Sequence, residues 1–301
     1  MTRTIWLASY PKSGNTWFRM LVANLSATDK PVDINNLRGS GGIASARGPF
    51  DYLTLIDSSL LTHDEIDCLR PRVHEELASC AQDDDYDKPE DIPPVRFVKV
   101  HDAYALTPKG EPLLAGRRGA DGVILIVRDP RDVAPSFASH QRMSVDNAIA
   151  IMINKKRKSG RSRSLGEQLR QKVGCWKSHV ASWLEQGDIP VHLIRYEDMK
   201  RDTIGTFRRA LDFAGLLAGE EEIARAVAFA DFGELRRQER DKGFCEAPQR
   251  PGGLFFRRGE VGAWRDELTA EQVARIEEAH GPTMRRLGYQ LAAETLLART
   301  G

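Results

Sequence analysis

The chain has 301 residues, of which 41% are hydrophobic and 29% charged, and this composition is typical of a globular protein. The formal net charge of +1 excludes a global field that would attract nucleic acid or a membrane surface. Any anion site must therefore come from local clustering of basic side chains. The 4 cysteines have neither paired nor metal-like spacing, which favours free thiols in a reducing compartment.

The sequence predicts no targeting segment. Its first apolar run begins within a few residues of Met1, which leaves no room for a signal peptide. No apolar run approaches the ~20 residues that a membrane-spanning helix needs. We therefore expect a cytoplasmic protein with no membrane anchor and no nucleic-acid partner, and the sequence contains no metal-ligand cluster.

Residues 4–17 combine a strand, a tight loop and a helix. Residues 5–8 form a short apolar run, residues 10–14 are turn formers, and helical spacing begins at Asn15. The free N–H groups and the dipole at a helix N-terminus favour an anion such as phosphate, and Lys12 adds a charge there. The loop does not have the GxxxxGK[ST] form of a Walker loop. A structural corner with an incidental lysine is the alternative interpretation.

The segment that follows is dominated by loops. Residues 29–60 contain many glycines, and they either border a substrate cleft or simply connect two elements. Residues 63–79 have helical periodicity, with Thr62 as the predicted N-cap. Residues 81–94 are acidic and contain prolines, which predicts an exposed loop.

Two further strands are predicted to bring polar side chains to one edge of a sheet. Residues 95–100 end before His101, and residues 123–127 form a nearly continuous apolar run that ends before Arg128. Ligands bind beyond the carboxyl ends of strands in open parallel sheets. If the strands are parallel neighbours, Lys12, His101 and Arg128 lie at the same edge. Taken alone, a histidine or arginine at a strand end is more often structural.

The second half of the chain alternates predicted helices with one strand. Helices are predicted for residues 165–184, 203–216, 219–229 and 270–279, and a strand for residues 191–195. Trp176 and Trp183 lie on one helix face and are predicted to belong to the core. Residues 155–163 carry 6 basic side chains, which we interpret as a solvated loop or, alternatively, as a clamp for an acidic acceptor.

Residues 238–262 are rich in glycine and proline and are predicted not to be helical. Aromatic and basic side chains on such a stretch suggest a lid that folds over a ligand. The alternation of strands and helices along the chain predicts a three-layer α/β fold with a central parallel sheet. We expect a single domain over residues 1–301, with a mobile loop at 155–165 and the lid at 238–262.

Several motifs resemble those of the sulfotransferases that use 3′-phosphoadenosine 5′-phosphosulfate (PAPS). Residues 11–17, Pro-Lys-Ser-Gly-Asn-Thr-Trp, resemble the family's 5′-phosphosulfate loop, with Asn15 where threonine is commoner. Arg128 and Ser136 have the spacing of the family's 3′-phosphate site, although Pro135 replaces a commoner aliphatic residue.

Three later matches extend this resemblance over most of the chain. Residues 255–264 resemble the family's late Arg-Lys-Gly…Gly-x-Trp motif, with Arg258 in place of lysine. Residues 99–101, Lys-Val-His, resemble its Lys-Thr-His. Residues 196–199 match a fourth motif, and they follow a predicted strand as in the family.

The resemblance implies a P-loop-like fold, PAPS as cofactor, no metal, and a role for each matched residue. It implies His101 as general base, Lys12 as the cation at the departing phosphate and Lys99 as an aid at the sulfuryl group. The implied cofactor-binding residues are Lys12, Ser13, Gly14, Asn15, Thr16, Trp17, Arg128, Ser136, Tyr196, Phe232, Phe255, Phe256, Arg257, Arg258 and Gly259.

The acceptor, a molecule with a hydroxyl or less readily an amine, is not identified by the sequence. Its pocket is expected where the resemblance is weakest. The candidate lining residues are Phe50, Tyr52, Tyr104, Phe137 and Phe244. The oligomeric state also stays open, because the family's dimerisation stretch is matched only loosely, with Ala270 and Ala274 in place of valine and glutamate.

Two other function classes fit the sequence less well. A P-loop kinase or NTPase would need a Walker loop and a carboxylate for Mg²⁺, yet Arg128 stands where an acidic residue would be wanted. A non-catalytic protein that binds PAPS or its product would not need a base such as His101.

Overall fold

The computed structural model describes residues 2–37, 40–80, 95–160, 167–247, 254–292 and 294. The strands are β1 (Arg3–Ser9), β2 (Ser40–Ile43), β3 (Val95–Val100), β4 (Gly122–Val127) and β5 (Val191–Arg195). They form one sheet in the order β2-β3-β1-β4-β5, and every neighbouring pair is parallel. The strands predicted at 95–100 and 191–195 are confirmed with these bounds.

Helices connect the strands and cover the sheet. They are α1 (Asn15–Ala23), α2 (Arg47–Thr54), α3 (His63–Cys80), α4 (Pro130–Gln141), α5 (Val145–Ile153), α6 (Trp176–Glu185), α7 (Tyr196–Arg201), α8 (Thr203–Ala214), α9 (Glu220–Phe229), α10 (Phe232–Lys242), α11 (Trp264–Glu267) and α12 (Ala270–Arg286), with 3₁₀ turns at Ser58–Leu60 and Gly116–Arg118. No described helix combines the length and the apolar character that crossing a bilayer requires.

Alternate residues of β1 belong to two different hydrophobic cores, because the side chains of a strand point to opposite faces of its sheet. Trp6 and Ala8 pack with residues of α4, α5, α6 and α12. Ile5 and Leu7 pack with residues of α1, α8, α9 and α10. The sheet is therefore covered on both faces, and the predicted three-layer α/β fold is confirmed.

The helix predicted over 165–184 is wrong in its first half. Here α6 begins only at Trp176, because the preceding backbone pairs with distant segments. Leu169 N donates to Ser45 O at 2.7 Å, and Gln171 exchanges backbone hydrogen bonds with residue 159. Gly174 then adopts a left-handed φ of 66°, which interrupts a helix. Trp176 and Trp183 are fully buried core residues, as predicted.

Other boundaries differ in detail. The non-helical segment predicted from residue 238 begins later, since α10 continues to Lys242, and α12 extends beyond the predicted 279. Thr62 caps α3 as predicted, with its hydroxyl accepting from Glu65 N at 3.2 Å. Residues 81–94, 161–165 of the expected mobile loop and 248–253 of the expected lid lie outside the described residues. The single domain with its mobile loop and lid stays a prediction.

Candidate active site

A cleft of about 640 Å³ opens at the carboxyl edge of the sheet, which is a volume typical of ligand pockets. β1 lies between β3 and β4 and is parallel to both, so the residues that follow these three strands lie side by side. The predicted meeting of Lys12, His101 and Arg128 is therefore observed. The residues predicted for the site that line this cleft are Lys12, Gly14, Asn15, Thr16, Trp17, Lys99, His101, Arg128, Ser136, Phe137, Tyr196, Phe232, Phe255, Phe256, Arg257, Arg258 and Gly259.

The loop between β1 and α1 has an unusual backbone. Lys12 has a φ of 71°, a left-handed conformation that is uncommon for a residue with a side chain, and Gly14 has a φ of 106°. A Cβ at Gly14 would lie 2.7 Å from Cδ2 of Tyr196. Glycine is thus needed here for both conformation and close approach, and such strained backbone is characteristic of functional sites.

The N-terminus of α1 is arranged to attract negative charge. Its first turn contains no acidic residue that would oppose the helix dipole, and its first N–H groups have no partner within the helix. Asn15 Nδ2 donates to Leu7 O at 2.8 Å and to Ser9 Oγ at 3.2 Å, which fixes the helix to the end of β1. Ser13 is fully buried, and its hydroxyl finds no partner among the described residues.

Lys12 and Lys99 are two cations in one enclosed site. Lys12 Nζ lies 3.5 Å from the centroid of the Phe255 ring. Burial, followed by the like charges of Lys99 and Arg128, lowers the pKa of Lys12 to about 7. Burial also lowers the pKa of Lys99, against an opposing effect of Glu246. A bound anion would favour the charged form of both lysines, so the arrangement suits a negatively charged ligand.

His101 is held as a neutral imidazole in one tautomer. Its Nδ1 lies 2.8 Å from Ser9 O, and because a carbonyl only accepts, Nδ1 carries the proton and Nε2 is free to accept one. Burial and then the charge of Lys99 lower the pKa of His101 to about 3. The adjacent Asp102 is fixed by a buried ion pair with Arg70 at 2.8 Å. Nε2 of His101 is therefore unprotonated near neutral pH and can accept a hydrogen bond.

Arg128 connects the loop after β1 to the late segment of the chain. Its guanidinium lies 4.3 Å from the Tyr196 ring centroid and donates to Lys12 O at 3.4 Å and to Glu260 O at 2.9 Å. The Tyr196 hydroxyl donates to Gly259 O at 2.8 Å. Among the described residues, no carboxylate forms an ion pair with Arg128, although its charge opposes the rise that burial causes in the pKa of the nearby Asp132. The guanidinium can therefore still pair with a ligand.

Aromatic side chains form one wall of the cleft. Trp17 Nε1 donates to Ala230 O at 3.0 Å, and the Trp17 ring lies edge-on to Tyr196 with 5.7 Å between centroids. The Phe255 and Phe256 rings are 5.2 Å apart, and Phe232 meets Phe256 edge-on. Such a wall can pack against a flat heterocycle.

Arg257 and Arg258 are paired within the protein. Both form ion pairs with Glu267, at 2.7 Å and 3.2 Å respectively. Arg258 also donates to Glu260 through Nε at 2.9 Å. Any phosphate that these arginines bind must therefore compete with Glu267.

Glu246 is a site residue that sequence reasoning missed. Its carboxylate accepts hydrogen bonds from Thr16 Oγ1 at 3.2 Å and Lys99 Nζ at 2.9 Å, and it also pairs with Arg19. Burial alone would raise the pKa of Glu246, but Lys99 and Arg19 lower it to about 2. The only signal in the sequence is its place in the predicted lid, since no spacing marks an isolated acid.

Two residues of α4 were also missed. Asp132 accepts from Gly262 N at 2.7 Å and Trp264 N at 2.9 Å, and these bonds fasten the late motif to α4. His140 lines the cleft, where burial and then the charge of Lys12 lower its pKa to about 4. Helical spacing from Ser136 could have identified His140, which follows it by one turn.

Four of the five aromatic residues expected to line an acceptor pocket lie elsewhere. Phe50 is buried in a separate core with α3, Tyr52 is 79% exposed, and Tyr104 packs against α6. Phe244 packs into the core behind the aromatic wall, and Phe137 alone lines the cleft. Aromatic character does not reveal which way a side chain points. Apart from its aromatic wall, the described part of the cleft is lined by the polar residues His140, Gln141, Arg157, Ser159, Gln168 and Gln171.

Comparisons with known proteins identify the family. The family model for the sulfotransferase domain matches residues 2–288. Cytosolic sulfotransferase 17 of Arabidopsis thaliana is 25% identical over 90% of this chain and 71% of that protein. Luciferin sulfotransferase of Photinus pyralis is 24% identical over 91% of this chain and 70% of that protein. The crystal structure of mouse sulfotransferase SULT7A1 complexed with PAP shares the fold, with a TM-score of 0.58 at 19% identity over 94% of this chain and 85% of that chain.

The chain therefore belongs to the sulfotransferase family. The expectation of a sulfotransferase, which the motifs at residues 11–17 and 255–264 raised, is confirmed.

The loop geometry makes a prediction that does not depend on any ligand. Gly14→Ala forces a Cβ into Tyr196 and a left-handed φ, so it should lower the free energy of unfolding by about 1–3 kcal/mol. Gly48→Ala is the matched control, because Gly48 lies in α2 with no heavy atom within 4 Å of an added Cβ. Denaturant unfolding of both variants measures the difference, and equal stability would contradict the requirement for glycine at position 14.

Proposed function

We propose that this protein transfers the sulfuryl group of PAPS to the hydroxyl, or less readily the amine, of an acceptor by in-line attack. The observation that carries the proposal is the convergence of Lys12, Lys99, His101 and Arg128 in one cleft of a sulfotransferase-family chain. The PAP in the mouse SULT7A1 structure, which is the desulfated product adenosine 3′,5′-bisphosphate, supports the choice of donor.

The donor would be bound through its two phosphate positions. The N–H groups of residues 13–16, with Lys12 and Thr16, suit the 5′-phosphate at the start of α1. Arg128 and Ser136 suit the 3′-phosphate, since a guanidinium can hold a phosphate with two parallel hydrogen bonds. Arg257, Arg258 and the Gly259 backbone lie beside them in the cleft.

The adenine would pack against the aromatic wall. Trp17, Tyr196 and Phe232 present apolar faces to the cleft, and Phe255 and Phe256 continue the wall. Stacking on such rings recognises a flat base through its π-face.

His101 would act as general base on the acceptor. A neutral hydroxyl attacks sulfur poorly until its proton is leaving, and Nε2 of His101 is an available acceptor in the cleft. Negative charge brought by the donor would raise the pKa of His101 from about 3 towards the range in which a base is effective.

Lys12 and Lys99 would stabilise the charge that moves during the reaction. PAPS, when bound, would supply the sulfuryl group, and the phosphate oxygen that loses this group would gain negative charge. Lys12 lines the cleft beside the start of α1, and a preorganised cation there would stabilise that charge. Lys99 belongs to β3 and lines the same cleft as His101, so it would assist at the sulfuryl group.

The alternatives from other classes are weaker on these observations. A P-loop kinase or NTPase is disfavoured by membership of the sulfotransferase family and by the missing Walker form. In a non-catalytic protein that only binds PAPS or PAP, the fixed tautomer of His101 would have no role. Binding and turnover measurements separate these functions.

The decisive test of the donor is calorimetric binding of PAP against ADP, with and without Mg²⁺. We expect PAP to bind without Mg²⁺ and at least about tenfold more tightly than ADP, because Arg128 would meet the 3′-phosphate. Arg128→Gln should remove most of this preference, whereas Arg237→Gln, at an exposed ion pair of α10, should leave it unchanged. A preference for ADP with Mg²⁺ would overturn the proposed donor.

Glu246 is expected to compete with the donor. Its carboxylate uses Thr16, Lys99 and Arg19, so Glu246→Gln should tighten PAP binding by about tenfold through the loss of a charge-assisted competitor. Glu185→Gln, at an exposed pair on α6, is the control and should have no effect. Weaker PAP binding by Glu246→Gln would mean that the carboxylate helps to form the site.

The role of His101 predicts a separation of binding from turnover. His101→Ala should retain PAP binding within about threefold but lose about 10²–10⁴-fold in the rate of sulfuryl transfer, as expected for removal of a general base. His192→Ala, on β5 and stacked on Phe213, is the histidine control. Radiolabelled transfer from PAPS to any accepted hydroxyl measures the rate, and undiminished turnover would exclude His101 as the base.

A further inference from the structure

Arg157 stands in the wall of the cleft between two aromatic rings. Its guanidinium lies 4.6 Å from the Phe137 ring centroid and 5.2 Å from that of Tyr10, and it donates to the Tyr10 hydroxyl at 2.6 Å. Phe137 and Tyr10 are themselves almost fully buried. Gly174 N donates to Arg157 O at 3.0 Å, so the backbone is fixed as well. Arg157 is therefore a positioned cation and not a freely moving surface side chain.

Among the residues that the structure describes, no carboxylate forms an ion pair with Arg157. The neighbouring residues 161–166, which lie outside the description, include no Asp or Glu in their sequence. Burial raises the pKa of Tyr10 to about 12 despite the opposing effect of Arg157, so the phenol stays neutral. The guanidinium thus has unused charge beside a ligand-sized cleft.

Three of the carboxylates that line the cleft have partners of their own. Glu246 pairs with Lys99 and Glu267 pairs with Arg257, at 2.9 Å and 2.7 Å. Asp132 accepts two backbone N–H groups, and Glu167, which also lines the cleft, is exposed to solvent. Arg157 consequently differs from the paired arginines of the site.

The backbone of the segment that contains Arg157 lies on the β2 and β3 side of the cleft, although the guanidinium also contacts Phe137 of α4. Its segment is tied to residues that follow β2 and β3, since residue 159 bridges to Gln171, Leu169 N bonds to Ser45 O, and Ala103 N bonds to Lys172 O at 2.8 Å. Arg128 and Tyr196 follow β4 and β5, on the other side of β1. His101 follows β3 and so lies towards the side of the cleft to which the Arg157 segment is tied.

We propose that Arg157 forms an anion subsite for the acceptor, so that the acceptor carries an anionic group in addition to the group that receives sulfur. Carboxylate, phosphate and sulfate ester share the required chemistry, which is two acceptor oxygens for the fork of a guanidinium. The polar side chains of Ser159, Gln168 and Gln171 line the same wall and extend this hydrogen-bonding surface. The assignment rests on the proposed sulfuryl transfer and specifies its acceptor class.

The test uses four matched phenols and the full-length protein saturated with PAP. The probes are 4-hydroxyphenylacetate, 4-hydroxyphenyl phosphate, 4-hydroxyphenyl sulfate and the neutral 4-hydroxyphenylacetamide. We expect at least one anion to bind about tenfold more tightly than the amide, as measured by calorimetry or ligand-observed NMR. The three anionic probes distinguish a carboxylate from a phosphate or a sulfate as the preferred group.

Substitutions connect that preference to Arg157. The ratio of anion to amide affinity should fall to about one in Arg157→Gln and be partly retained in Arg157→Lys, which keeps the charge but loses the fork. Lys156→Gln removes a neighbouring exposed charge and should change the ratio by no more than about twofold, because solvent screens it. With PAPS as donor, Arg157→Gln should raise KM for the preferred anion more than it lowers kcat.

The outcomes are decisive and separable from those of the donor test. A wild-type preference below about threefold for every anion, including the case in which no probe binds, overturns the anion subsite. A preference that Arg157→Gln leaves intact overturns the assignment to this residue. Failure to bind PAP in the first step would count against the proposed function itself, whereas PAP binding without anion preference counts against Arg157 alone.

Discussion

Positive charge concentrated at the edge of a buried sheet is the constraint on which the site depends. Lys12, Lys99 and Arg128 lie in one cleft, and burial together with mutual repulsion lowers the pKa of Lys12 to about 7. Like charges in an enclosed place are unfavourable unless an anion accompanies them. Glu246 supplies such an anion from the protein itself, through Lys99, Thr16 and Arg19. The cleft is therefore electrostatically complementary to anions.

The surrounding fold keeps these groups apart at fixed positions. Asn15 ties the start of α1 to β1, and the buried Arg70–Asp102 pair fixes the chain directly after His101. Asp132 fastens the late motif to α4 through two backbone N–H groups. Each of these side chains makes hydrogen bonds to a neighbouring element, which restricts the movement of the groups around the cleft. The site is thus preorganised by bonds between its lining residues and the surrounding fold.

The meeting of the residues that follow β1, β3 and β4 could be predicted from the sequence, because they lie directly after strand ends. The prediction that Lys12, His101 and Arg128 lie together depends only on three strands being parallel neighbours. The apolar run of β4 is readily recognised as a buried strand. The opposite side of the cleft could not be predicted, since residues 167–173 form no helix. Leu169 instead pairs with Ser45, over a hundred positions earlier, and Gln171 pairs with Ser159. Such pairings have no local signal, and neither does the direction of an aromatic side chain such as Tyr52.

The pairing of the donor-side cations bears on how one nucleotide would be selected over another. Lys99 is paired with Glu246, and Arg257 is paired with Glu267. A ligand with one anionic group can replace one of these carboxylates and must leave the other pair intact. A ligand with phosphates at both the 3′ and 5′ positions can replace both, and the second replacement is intramolecular once the first has occurred. Under the proposed function, the internal ion pairs thus lower the affinity for nucleotides that lack one of the two phosphate positions. Such a ligand displaces only one carboxylate and gains only part of the available interaction.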